Sequence, residues 1–210
     1  MLEVCLLDLF DLPDHLILDP RVFSPFRLKK LSVLKQKEDR LRSIAAELCL
    51  ARVCLRCGVS QKLPIEYRYT NSGKPELCSS RFYISISHCG NYAAASLSDQ
   101  PHGIDLEQFS RAQQIKRVLR LPDNTTNQSA VQQWCARESF VKMMGKGIRP
   151  HQDFQQVPAR ISSDNATAYL QYRQHVDTVL CAVTQSKQTL QLELMTRQMI
   201  EVMLNFQNKD

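Results

Sequence analysis

GIDLE, Gly103–Glu107, sets two carboxylates one residue apart inside an otherwise small and apolar run. The segment before it, AAASLSDQPH, reads as a strand and a turn, so GIDLE reads as the next strand. In a strand, residues two apart share a face about 6–7 Å from each other. Asp105 and Glu107 therefore point one way, and Ile104 and Leu106 the other. Taken alone, the acidic face reads as a strand edge in water, because two close carboxylates repel unless a cation separates them.

Elements of both kinds surround this stretch. MLEVCLLDLF reads as a first strand and PDHLILDPRVF as a connection. SPFRLKKL has Ser24 as a helix cap and Pro25 at the first helical position. KEDRLRSIAAELCLARVCLRCG repeats apolar residues at helical spacing and stops at Gly58. EYRYT, FYISI and YAAASLS read as strands, and NSGKPEL and the PHG at 101–103 as turns. AQQIKRVLRL is a short helix, and SAVQQWCARESFVKMMGKG a long one that ends at Gly145, with Gly147 close behind. ATAYLQYRQ, TVLCAVT and LQLELM read as strands, and RQMIEVMLNF as a last helix. Hairpin-like strand pairs mixed with helices predict an α+β fold rather than a regular βαβ series.

The long helix changes the meaning of the acids. Trp134, Glu138 and Lys142 are spaced by four, and each step of four turns only about 40° around a helix. They form one stripe of aromatic, acid and base. As a surface Glu–Lys pair this stripe stabilises by only about 0.3–0.5 kcal/mol. As part of a site it supplies a third carboxylate for the same cation and a lysine for phosphate. Ser87 and His88 follow FYISI directly, where a hydroxyl, an imidazole and free N–H groups suit a phosphate. No G-x-S-x-G elbow supports a Ser-His hydrolase, and GKP at 73–75 lacks a P-loop frame.

The composition of the 210 residues narrows the choice. Hydrophobic content is 43% and charged content 23%, as in a globular protein with a sizeable core. A formal charge of +6 suits phosphate-bearing ligands or acidic partners and is too diffuse for a nucleic-acid platform. The eight cysteines are scattered. CLRC at 54–57 lacks a second half, so buried, reduced thiols are expected rather than a zinc site. MLEVCLLDLF has no basic leader, and no run approaches the ~18 apolar residues of a membrane span. A cytoplasmic protein that binds neither membrane nor nucleic acid is expected.

The ordered set SPFRLKK, KEDRLRS, GKPEL, FYISISH, GIDLE and WCARESFVKMMGKG resembles the 4′-phosphopantetheinyl transferases of the Sfp type, in the holo-acyl-carrier-protein synthase superfamily. The resemblance runs from about residue 24 to 147, and G-x-D-x-E followed about thirty residues later by W-x-x-[KR]-E-[AS]-x-x-K is its most specific part. It implies two similar α/β halves related by pseudo-twofold symmetry, here 1–101 and 102–210, with coenzyme A in the cleft between them. It implies a monomer that moves the 4′-phosphopantetheine of coenzyme A to a serine of an apo acyl, peptidyl or aryl carrier protein, leaving adenosine 3′,5′-bisphosphate. Carried over by position, Asp105, Glu107 and Glu138 would bind Mg²⁺. Lys142 would hold phosphate, and Arg27, Lys30, Arg42, Lys74, Ser87 and His88 would meet the adenosine phosphates. Glu138 and Lys142 would be catalytic. A third catalytic position, a glutamate in many members, falls in RVLRLPDN, with Asp123 as the nearest candidate. Arg137 stands where a lysine is usual, and no Asn precedes Ser87. The alternative is an inactive relative that still binds coenzyme A or a nucleotide.

Overall fold

The computed structural model describes residues 1–13, 19–78, 80–146, 153–163 and 166–206. Two sheets organise them. The first contains β1 (Leu2–Asp8), β2 (Tyr67–Tyr69), β3 (Pro75–Leu77), β4 (Tyr83–Cys89), β5 (Tyr92–Ser98) and β11 (Leu190–Met195) in the order β11-β1-β5-β4-β3-β2. The second contains β6 (His102–Gln108), β7 (Gln155–Val157), β8 (Arg160–Ser163), β9 (Ala166–His175) and β10 (Thr178–Thr184) in the order β6-β10-β9-β8-β7. All pairings are antiparallel except β1 with β11, which is parallel. The α+β expectation therefore holds.

Helices α1 (Pro25–Ser32) and α2 (Lys37–Arg56) lie between β1 and β2. Helices α3 (Ala112–Leu119) and α4 (Asn127–Met144) lie between β6 and β7, and α5 (Arg197–Phe206) follows β11. Ser24 caps α1 by accepting from the Arg27 N–H, and Pro25 stands at its start, as the sequence predicts. Thr126 caps α4 in the same way through the Ser129 N–H. Gly145 ends α4 with φ +64°, a conformation that only glycine adopts without cost. Gly147, expected close behind it, lies outside the described residues.

Three apolar clusters follow from this layering. One joins α2 to the odd-numbered face of β1, with Cys5, Leu7, Leu48 and Cys49 at its centre, and takes in Ile200 and Met203 of α5. A second joins α3 and α4 to Val179, Cys181 and Val183 of β10. The third, with Leu2, Val4, Leu6, Ala94, Ile104, Leu106, Leu180 and Ala182, lies between the sheets. The opposite face of β6 turns toward α4. Gly103 makes that contact close: a Cβ there would stand 2.1 Å from the Ser139 carbonyl oxygen and 2.6 Å from the Met143 nitrogen.

Three sequence expectations need correction. Ser87 and His88 lie inside β4, which runs on to Cys89. His102 and Gly103 open β6 rather than forming a turn. Part of NSGKPEL is a strand, β3, and two short strands, β7 and β8, precede β9. β11 and the buried residues of α5, which come late in the chain, pack with the first sheet.

Candidate active site at the junction of the sheets

β6 is the edge strand of its sheet, and β4 of the other sheet runs beside it. Serine hydroxyls bridge the two. Ser85 Oγ accepts from the Ile104 N–H at 3.1 Å, and Ser87 Oγ from the Leu106 N–H at 3.1 Å. The alternation of FYISIS places both serines on one face, at the spacing of β6's outward N–H groups. These buried donors would otherwise be unpaired, at a cost of about 1–3 kcal/mol each.

Beside this seam is a cleft of about 660 Å³. The first sheet contributes Tyr69, Lys74, Ser87 and His88 to its walls. Asp105 and Glu107 of β6, Arg111, and Trp134, Glu138 and Lys142 of α4 complete it. The helical stripe predicted from spacing therefore faces the two strand acids. Those acids do not form a strand edge in water: Asp105 is 7% and Glu107 3% exposed.

Both strand acids are held by cations. Lys142 Nζ donates to Asp105 Oδ1 at 2.8 Å, to Ser87 Oγ at 3.0 Å and to the Ile104 carbonyl at 3.1 Å. Ser87 in turn donates to Asp105 Oδ1 at 2.8 Å. Arg111 pairs with Glu107 at 2.8 Å, and Glu107 also accepts from the Gln108 N–H at 3.1 Å. Burial foremost, joined by the Asp105 charge, pushes the Glu107 carboxyl above the usual range. Burial foremost, then the charges of Asp105 and Glu107, does the same to Glu138, and Lys142 opposes it.

This is a donor set of the kind a hard cation takes: carboxylate oxygens whose negative charges oppose one another. Among the described residues no three such side chains are gathered tightly enough to hold a metal ion as they stand. The reason is visible in the contacts, since Asp105 and Glu107 are engaged by Lys142 and Arg111. The residues fit a divalent ion by chemistry, and binding it requires those pairs to loosen.

The remaining candidates separate by position. Lys74 lines the cleft, and its Nζ donates to the Met143 carbonyl at 2.8 Å, joining the GKP turn to the last turn of α4. Burial lowers its pKa. His88 keeps solvent access. Its protein surroundings foremost, then the charges of Lys142 and Arg42, lower its pKa. Lys30 sits 4.4 Å over the ring of Tyr69, which lines the cleft. Arg42 pairs with Asp39 at 2.5 Å and donates to the Gly90 carbonyl at 3.2 Å, outside the cleft lining.

Arg27 and Asp123 stand outside the cleft lining. Arg27 is 3% exposed. It pairs with Glu47 at 2.7 Å and donates to Ser43, so its guanidinium is engaged within the fold. Asp123 is exposed in the turn between α3 and α4 and does not line the cleft. Sequence reasoning missed Ser85, Arg111 and Tyr69. The paired serines of FYISIS were the available signal for Ser85. Arg111 stands four residues after Glu107 and reaches back to it.

Residues 101–194 match the family model described as the 4′-phosphopantetheinyl transferase superfamily. The chain is 26% identical over 171 residues to 4′-phosphopantetheinyl transferase Sfp of Bacillus subtilis strain 168, covering 70% of this chain and 75% of that protein. It is 25% identical to a putative 4′-phosphopantetheinyl transferase of Synechocystis sp., covering 54% of this chain and 53% of that one. It is 24% identical to 4′-phosphopantetheinyl transferase psf-1 of Bacillus pumilus, covering 52% of each. The alignments thus span three quarters of the first relative and about half of the other two. The matched region holds Asp105, Glu107, Glu138 and Lys142, and by these likenesses the chain is similar to the 4′-phosphopantetheinyl transferases.

Proposed function

We propose that this protein transfers the 4′-phosphopantetheine group of coenzyme A to a serine of an apo acyl, peptidyl or aryl carrier protein. The observation that carries the reading is the meeting of Asp105, Glu107, Glu138 and Lys142 with Ser87 and His88 in one cleft, across the seam of the two sheets. The match to the family model and the names of the relatives support the same reaction.

Lys142 and Lys74 line the cleft and supply charge-assisted donors for the diphosphate and adenosine phosphates. His88 faces the same anions, with Lys30 and Arg42 adding positive charge at the rim. Asp105, Glu107 and Glu138 would hold Mg²⁺, a cation that favours carboxylate and phosphate oxygens. When bound, the ion supplies neutralisation of the charge that builds on the diphosphate during transfer. The carrier serine oxygen bonds to the phosphorus next to the pantetheine. The bond from that phosphorus to the bridging oxygen breaks, adenosine 3′,5′-bisphosphate leaves, and the serine loses its proton. Trp134 walls the cleft beside Glu138, limiting water near the reacting atoms.

The two sheets support a pseudo-twofold arrangement of halves. Each has the order first, fifth, fourth, third and second strand of its half, with two helices after the first strand. Cys49 of α2 donates to the carbonyl of Ala93, which pairs with Leu7. Cys135 of α4 donates to the carbonyl of Val179, which pairs with Glu107. By this correspondence Leu7 and Cys5 occupy, in the first half, the places of Glu107 and Asp105. That apolar replacement supports one catalytic cleft per chain, in keeping with a working monomer. The eight free thiols fit the reducing cytoplasm.

The test is incubation with coenzyme A carrying a labelled pantetheine, Mg²⁺ and a panel of apo carriers. The expected result is label and the corresponding mass gain on a carrier serine. No modification across fatty-acid, polyketide and peptide-synthesis carriers would refute the assignment.

A further inference from the structure

A second cavity, of about 570 Å³, lies between α4 and the hairpin strands β7 to β9. It shares no lining residue with the catalytic cleft. Among the described residues of its lining Arg137 is the one that carries a charge. Around it stand Ser129, Gln133, Gln156 and Tyr172, with Phe154 beneath the guanidinium, 5.4 Å from ring centre to carbon.

Three of the polar side chains here are already partnered. Gln133 donates to Ser129 at 3.2 Å, Gln156 to the Tyr172 hydroxyl at 2.7 Å, and Tyr172 to the Gln132 carbonyl at 3.0 Å. Arg137 differs: among the described residues it meets no carboxylate and donates no hydrogen bond to a side chain or carbonyl. Arg27, Arg42 and Arg52 are also partly or wholly withdrawn from water, and each meets a carboxylate, in Glu47, Asp39 and Glu193. Burial alone acts on the Arg137 guanidinium and lowers its pKa. A half-buried charge without a counter-charge is costly. The Phe154 ring lies within cation–π reach of the guanidinium, whose fork of donors suits a planar or tetrahedral oxyanion.

We propose that this cavity is a second ligand site, for the carboxylate or phosphate group of a small molecule, in which Arg137 is the anchoring cation. The cavity is large enough for a metabolite-sized ligand, and its amide and hydroxyl rim suits a polar one. Carboxylate and phosphate share the charge-assisted pairing with arginine, and titration separates them.

The experiment is calorimetric titration of the whole protein with citrate and, separately, with inorganic phosphate. It is run with the catalytic cleft saturated by adenosine 3′,5′-bisphosphate. The same titrations follow on Arg137→Gln and Arg137→Lys, each checked for an unchanged circular dichroism spectrum and melting temperature. Binding to the unmodified protein is expected, with at least tenfold weaker binding in Arg137→Gln and an intermediate loss in Arg137→Lys. Whichever anion binds more tightly identifies the class. A chemical-shift change at the Arg137 side-chain Nε–H on titration gives an independent readout. No binding of either anion up to 10-fold above ~1 mM, a range weak ligands reach, would overturn the proposal. Equal binding in the Arg137→Gln protein would overturn it as well. The result does not depend on transferase activity.

Discussion

Gly103→Ala tests the close approach of α4 to β6. The new methyl would stand 2.1 Å from the Ser139 carbonyl oxygen, 2.6 Å from the Met143 nitrogen and 3.0 Å from Lys142 Cβ. The first two are backbone atoms of α4, which no rotamer change can move aside. Real Cβ contacts stay above 3.0 Å, so α4 must retreat from β6 by about 0.9 Å. Overpacking of this kind costs about 1–3 kcal/mol. For a chain of this size that lowers the melting temperature by about 2–4 °C per kcal/mol. The greater effect falls on chemistry, because Glu138 and Lys142 ride on α4 while Asp105 and Glu107 ride on β6. A misplacement of about 1 Å costs on the order of 100-fold in rate. The variant should remain folded by circular dichroism and melt lower. Its transfer rate, measured with labelled coenzyme A well below the melting temperature, should fall by at least tenfold. Wild-type activity together with wild-type stability would refute the packing argument and the dependence of the site on it.

Lys142→Met should abolish most transfer and cost about 1–3 kcal/mol. It strands the Asp105 carboxylate, and the lysine's 30% exposure keeps the loss below that of a fully buried pair. Adding Asp105→Asn should recover part of the stability and none of the activity in denaturant melts and transfer assays. Arg27→Met should destabilise by about 3–5 kcal/mol, since it leaves Glu47 buried and unpaired. In the folded fraction, calorimetry should find coenzyme A affinity unchanged within about twofold, whereas a large loss would make Arg27 a ligand contact after all. His102, fully buried between Ser96 and the Gln100 carbonyl, has its pKa lowered by burial from 6.5 to about 4. The unfolded chain therefore binds a proton before the folded one does, and stability falls as pH drops from about 6.5 to 4, by up to roughly 3 kcal/mol. His102→Gln should flatten that limb in urea melts taken across the interval, and an unchanged slope would exclude His102 as its source.

Much of the fold was legible because β6 and α4 obey simple periods. Alternation in GIDLE assigned Asp105 and Glu107 to one face, and spacing by four assigned Trp134, Glu138 and Lys142 to another. Those residues line one cleft because α4 crosses the acidic face of β6, which neither period states. The burial of Asp105 and Glu107 is a tertiary fact for the same reason. The burial of Arg27 was not legible because a basic residue on a short helix looks solvated, and its partner Glu47 lies on a different helix. Asp123 was chosen by nearness in sequence, which does not state its distance from the cleft. β7 and β8 are three and four residues long, too short to display a period. Gly103 carries no mark in a single sequence of how near α4 approaches.

The parallel pairing of β1 with β11 joins segments roughly 190 residues apart. On a ribosome adding about 5–20 residues per second, the first strand waits on the order of 10–40 s for that neighbour. Throughout that interval its outer backbone edge is open to other chains. A chain cut before Leu190 would keep Asp105, Glu107 and Glu138 and still leave that edge of β1 open. β11 thus shields a strand edge remote from the cleft, which it does not line.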